Sequence, residues 1–160
     1  MDGLDGLFKQ LDSIADIKPD LMKIMDRAGE FIAADARNLA PVQYGDLRKS
    51  IQHSVKDDGE TIRTKVFTNS DHAAFVEFGT GPVGAANHEG ISPDVVPRYR
   101  KDKWLGVIPE LKTENDAGIR YIAGQPAQPY LYPALANNEE ELEKYIQKET
   151  ADAIGRKING

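Results

Sequence analysis

Leu4, Leu7, Phe8, Leu11, Ile14 and Ala15 recur at helical spacing, which predicts a first amphipathic helix over residues 4–16. Pro19 breaks the pattern, and a longer helix is predicted from about Asp20 to Leu39. Leu21, Ile24, Met25, Ala28, Phe31, Ile32, Asp35, Ala36 and Leu39 form its stripe, with Lys23, Asp26, Arg27, Glu30 and Arg37 mostly elsewhere. Gly29 interrupts the stripe at a cost of about 1 kcal/mol relative to alanine, tolerable where another element packs closely. Pro41 ends the helix.

The period then changes. Ala40–Ile51 begins with turn chemistry around Gly45 and holds a helical turn at Asp46–Ser50. Beyond it, Ile51, His53 and Val55 alternate with polar residues, as do Ile62, Thr64, Val66 and Thr68. Asp57-Asp58-Gly59-Glu60 separates the two runs, and Asp-Gly in that setting predicts a β-hairpin.

The stretch His72-Ala73-Ala74-Phe75-Val76-Glu77-Phe78-Gly79-Thr80 is apolar around one acid. Asn69-Ser70-Asp71 offers an N-cap and Gly79 a left-handed C-cap, so a short buried helix is predicted, with Phe75, Val76 and Phe78 in the core. A buried, unpaired carboxylate costs several kcal/mol, so Glu77 must be paired or protonated. Arg48 is the candidate, as a guanidinium clamp on that carboxylate.

Residues 80–128 are punctuated throughout by glycine and proline. A structureless loop of that length is improbable. Either a second hairpin forms, Trp104–Ile108 against Ile119–Ala123, or the segment is an arm that orders on a partner. A closing helix is predicted from about Asn138 to Ile158, capped by Asn137 or Asn138. The expected fold is α+β: N- and C-terminal helices on a small antiparallel sheet, in a single domain of residues 1–160. Residues 79–124 would be its long projecting loop or hairpin.

Composition changes this picture little. With 160 residues, 40% of them hydrophobic, the chain can bury a core of its own. It has no cysteine, which excludes disulfides, thiolate nucleophiles and Cys-based metal sites. The N-terminus is acidic where a secretory signal would be basic, so residence in the cytoplasm is expected. A net charge of −6 argues against wrapping duplex DNA as the main task.

Candidate chemistry is sparse. Gly79-Thr80-Gly81-Pro82-Val83-Gly84 matches G-x-G-x-x-G, but a helix is predicted before it and none after it, so a cap running into a turn is the better reading. His53, His72 and His88 lack metal-ligand spacing. No catalytic residue, metal site or cofactor is expected, and the chain is not expected to be an enzyme. A small hydrolase with dispersed acids would need two converging carboxylates, which nothing singles out. Arg98, Tyr99, Arg100, Lys103 and Trp104 interleave cations with aromatics, as in single-strand binders. Given the acidic total, a solvated loop anchored by Tyr99 and Trp104 to its own domain or to a neighbouring subunit is preferred, and the strip is a candidate interface arm.

Three segments together carry a resemblance. Ala40-Pro41-Val42…Gly45-Asp46-Leu47-Arg48-Lys49-Ser50-Ile51 is similar to P-V-D-T-G-x-L-R-x-S-I, with Gln43-Tyr44 standing where Asp-Thr is usual. His72–Thr80 is similar to Y-A-x-Y-V-E-F-G-T. Gln125-Pro126-Ala127-Gln128-Pro129-Tyr130-Leu131-Tyr132-Pro133-Ala134-Leu135 is similar to Q-P-A-x-P-F-L-x-P-A-L. In that order, over roughly residues 20–150, they resemble the neck or tail-completion family of long-tailed bacteriophages, often described as minor tail components. The resemblance implies a structural virion protein that joins head to tail as a ring of subunits. Its partners would be its own copies and the head-closure, connector and tail proteins, with DNA passing nearby and not specifically bound, and no membrane. It implies a place in the virion, and in host cytoplasm during assembly. A tail terminator or tube-capping protein is the nearest alternative, and a nucleic-acid-binding accessory protein a more distant one.

Overall fold

The computed structural model describes residues 17–42, 45–114 and 116–159. The helix expected over residues 4–16 lies outside the described residues. The elements are α1 (Lys18–Leu39), α2 (Asp46–Ser50), β1 (Ile51–Asp57), β2 (Ile62–Thr68), α3 (Ala73–Phe78), α4 (Gly81–Ala86) and β3 (Trp104–Val107). A 3-10 turn (Pro109–Leu111), β4 (Ile119–Ile122), α5 (Leu131–Ala136) and α6 (Glu139–Asn159) follow. Helices and two small two-stranded antiparallel sheets, β1–β2 and β3–β4, make the fold α+β, as the periodicity predicts. Two compact units are drawn from interleaved stretches of the chain. One comprises Met1–Asn38, Ile51–Phe67 and Ala134–Gly160, and the other Leu39–Ser50 and Thr68–Pro133.

In the first unit, α1 buries Ile24, Ala28, Gly29, Ile32, Ala33 and Ala36. Small residues dominate because the β1–β2 hairpin lies close against the helix. A Cβ on Gly29 would sit 2.5 Å from Thr64 Cγ2 and 2.7 Å from His53 Cδ2. This is the close packing that a mid-helix glycine requires. The Thr64 hydroxyl donates to the Met25 carbonyl at 2.9 Å. Arg37 donates from Nε and Nη2 to the Ile51 carbonyl at 3.2 and 3.0 Å, and from Nη1 to Glu30 at 2.8 Å. That guanidinium holds the Glu30 carboxyl below its ordinary range. Phe31 and Leu39, expected on the apolar stripe, are exposed instead. On the other flank, Tyr145, Ile146, Ala153 and Ile154 of α6 pack with Ile17, Leu21 and Ile24.

The β1–β2 turn forms where Asp-Gly predicts it. Asp57 Oδ1 accepts the Gly59 N–H, and Asp58 Oδ1 accepts those of Glu60 and Thr61. Asn138 stands in the N-cap position of α6, where its carbonyl accepts the Leu142 N–H at 2.9 Å. Its side-chain amide donates to Asp35 Oδ2 and to the Ala134 carbonyl, each at 2.8 Å, so it ties α6 back to α1.

In the second unit, of the two alternatives for this segment the hairpin forms, pairing Trp104 with Ile122, Leu105 with Tyr121, Gly106 with Arg120 and Val107 with Ile119. Asp116 closes its far end by accepting from the Arg120 guanidinium and the Gly118 N–H. Arg120 is the main reason that the Asp116 carboxyl falls from 3.8 to about 2. A depressed carboxyl stabilises the fold above its ordinary value, and that contribution is lost as pH falls through the folded value. The hairpin end should therefore loosen between 3.8 and about 2. A carboxyl chemical-shift titration of Asp116 should show its midpoint near 2, moving toward 3.8 in Arg120→Ala. A parent midpoint already at 3.8 would remove the pairing.

Candidate interaction surface

The second unit is organised around the Glu77 carboxylate, which is 4% exposed. Oε2 accepts the backbone N–H groups of Tyr130 and Leu131 at 2.8 and 3.0 Å, and Oε1 accepts that of Tyr132 at 3.1 Å. These N–H groups open α5, and the first turn of any helix leaves such donors unpaired. Tyr130 stands in the capping position without an acceptor side chain suited to it, and Glu77 supplies the missing acceptor from 53 residues upstream. The charge also suits the positive end of the helix dipole. The expected Arg48–Glu77 clamp is therefore corrected. Arg48 Nε donates instead to the Ala40 carbonyl at 2.7 Å, closing the turn around Gly45.

The segment before α5 donates nearly all its backbone N–H groups to the α3–α4 region. Gln125 donates to the Thr80 carbonyl, Ala127 to that of Asn87 and Gln128 to that of Val76. The other two residues of the segment, Pro126 and Pro129, have no N–H to satisfy. The Gln125 side chain adds a bond to the Phe75 carbonyl at 2.8 Å. Two of the three segments that carry the family resemblance, His72–Thr80 and Gln125–Leu135, are thus one hydrogen-bonded assembly.

Glycines permit this closeness. Gly79 caps α3 with φ +73° and ψ 179°, not the left-handed helical cap expected but a region open essentially to glycine alone. A Cβ there would lie 2.7 Å from the Ala127 nitrogen. Gly124 has φ +92°, and its Cβ would overlap the Thr80 carbonyl oxygen. Gly45 also has positive φ, +71°, but open space around it.

The Gly79–Gly84 run is preceded by a helix, as expected. A short helix, α4, begins within the run at Gly81, where no helix was expected. With no strand before it, the run still lacks the context of a dinucleotide loop. Residues 97–104 lie over this region. The Tyr99 hydroxyl donates to the Phe78 carbonyl at 2.6 Å, and its ring stacks on His88 at 5.7 Å between centroids. Trp104 packs against Gly81. Arg100 sits 5.4 Å from the Trp104 ring centroid, a cation–π contact. Tyr99 and Trp104 are thus anchors, while Arg98, Arg100 and Lys103 face solvent.

The helix of His72–Gly79 is less buried than its composition predicts. Phe75 is 53% exposed, and Val76 and Phe78 are only partly covered, so the assignment of Phe75 to the core is corrected. An open cleft of about 950 Å³ borders it, lined by Pro41, Leu47, Phe75, Phe78, Tyr99 and Trp104, with Arg98 and Arg100 beside them. Apolar side chains facing open space, with cations around them, suit contact with another macromolecule. Tyr130, fully buried, is the core residue that sequence reasoning missed, and burial pushes its hydroxyl up to about 12. Among the described residues, no cluster of His, Asp or Glu is placed to hold a metal ion. None of their helices is long and apolar enough to cross a membrane.

Comparison with known proteins returns a family model described as "Bacteriophage HK97-gp10, putative tail-component", which matches residues 5–79. No curated protein and no solved structure matches the chain. The matched region takes in α1, the turn at Gly45, the β1–β2 hairpin and α3 with Glu77 and Gly79, and ends before the segment that Glu77 holds. Over residues 5–79 the chain is therefore similar to the HK97-gp10-like family, and that match indicates a bacteriophage tail component.

Proposed function

We propose that the chain is a neck or tail-completion component, joining head to tail as a ring of like subunits in the virion. The family match over residues 5–79 carries this reading. The second unit supports it with a glycine-dependent scaffold that presents Phe75, Arg98, Arg100 and the β3–β4 hairpin to solvent. Function here is contact, not turnover: Glu77, the acid that composition singles out, is committed to holding a helix terminus. Ring formation needs head-to-tail contacts whose rotation closes. Partners are its own copies, a head-closure or connector protein and tail proteins, met in the host cytoplasm during assembly. DNA passes nearby without specific readout.

The test is deletion of the gene from its phage or prophage. Filled heads and separate tails of normal length should accumulate, and the parent gene should rejoin them. Tails of uncontrolled length would favour a terminator instead. Particles that build and infect normally without the protein would end both readings.

A further inference from the structure

The register of the β3–β4 hairpin puts Leu105 and Val107 on the same face as Tyr121 and Ile119. All four are between 51% and 73% exposed. The opposite face carries Trp104 and Ile122, which line the cleft. An apolar outer face on a two-stranded hairpin is unusual, because such a ribbon gains little stability alone and a bare face invites association.

Charge along the ribbon is polarised. Arg98, Arg100, Lys101 and Lys103 precede its base, with Asp102 the one acid among them, while Glu110 and Glu114 stand at its tip with Lys112. The ion pairs among the described residues use none of those four cations and neither glutamate. An apolar centre flanked by cations at one end and acids at the other is complementary to itself when turned end for end. We infer that a second copy of this chain packs its hairpin face on this one in antiparallel fashion, Leu105, Val107, Ile119 and Tyr121 meeting their equivalents and each basic base meeting an acidic tip. Such a contact is isologous and closes on itself, so it is distinct from the head-to-tail contacts of the proposed ring and describes the chain before assembly. Two faces of several hundred Å² each reach only about the 1,000 Å² floor for a specific interface, so the pair is a weak one.

Sedimentation velocity on the purified full chain, from about 1 to about 200 µM, tests this over the range in which so small an interface dissociates. A monomer–dimer equilibrium is expected, weakening as salt is raised. Tyr121→Lys should leave a monomer throughout with an unchanged circular dichroism spectrum, and Leu105→Thr gives a second readout should that variant fail to fold. The double reversal Lys101→Glu with Lys103→Glu should weaken pairing about tenfold, as expected when attraction becomes like-charge repulsion. Adding Glu110→Lys with Glu114→Lys in the same chain should restore it. A parent that stays monomeric, a dimer that survives Tyr121→Lys, or a charge swap without rescue overturns the inference. So does a face that binds another tail protein while the chain alone stays monomeric. None of these results touches the head–tail role, which the gene deletion tests separately.

Discussion

Glu77→Gln is expected to lower the unfolding free energy by about 3 kcal/mol and the melting temperature by roughly 6–12 °C. The carboxylate offers acceptors in two directions, and three backbone donors use them. An amide has one oxygen, so whichever way it turns, at least one N–H faces another donor in a site closed to water. The remaining bonds also lose their charge assistance. Arg48→Ala supplies the discriminating control. Because Arg48 Nε serves the Ala40 carbonyl, its effect should add to that of Glu77→Gln within about 0.5 kcal/mol. A coupling above about 1 kcal/mol in denaturant unfolding would reinstate the ion pair as the main device. A Glu77→Gln chain that melts with the parent would show that the staple carries no stability.

Gly124→Ala should cost about as much, for another reason. At φ +92° any side chain is strained, by about 1–2 kcal/mol. The new methyl also meets the Thr80 carbonyl, a backbone group that cannot rotate aside, and overpacking of that kind adds about 1–3 kcal/mol. The crossing it disturbs is where Thr80 and Gln125 exchange N–H···O bonds at 2.9 and 3.2 Å. Hydrogen exchange at these two amides should accelerate before the rest of the second unit. Gly45→Ala, with positive φ but no neighbour within 4 Å, should cost only the conformational part, about 1 kcal/mol. Equal effects at the two positions would mean that the close crossing is unimportant.

Sequence alone determined what depends on neighbours along the chain. The long helix followed from its apolar stripe and the first hairpin from alternation around Asp-Gly, whereas the structure decided between a second hairpin and an arm. Gly29 was legible as a point of close packing, because a mid-helix glycine is tolerated where another element approaches. The family resemblance was legible too, since its three segments are local strings. Composition could not decide which apolar residues are covered, and so Phe75 was placed in the core when it faces solvent. Only the tertiary structure decided the partner of Glu77. A buried acid in a sequence suggests a cation, but three unpaired N–H groups at a helix start satisfy it as well, and nothing local brings residue 77 to residues 130–132. The one trace in the sequence was negative: α5 opens at Tyr130 without a Ser, Thr, Asp or Asn cap of its own. Spacing says which residues share a face of an element; which face meets another depends on where the chain returns, and that is fixed by contacts some fifty residues apart.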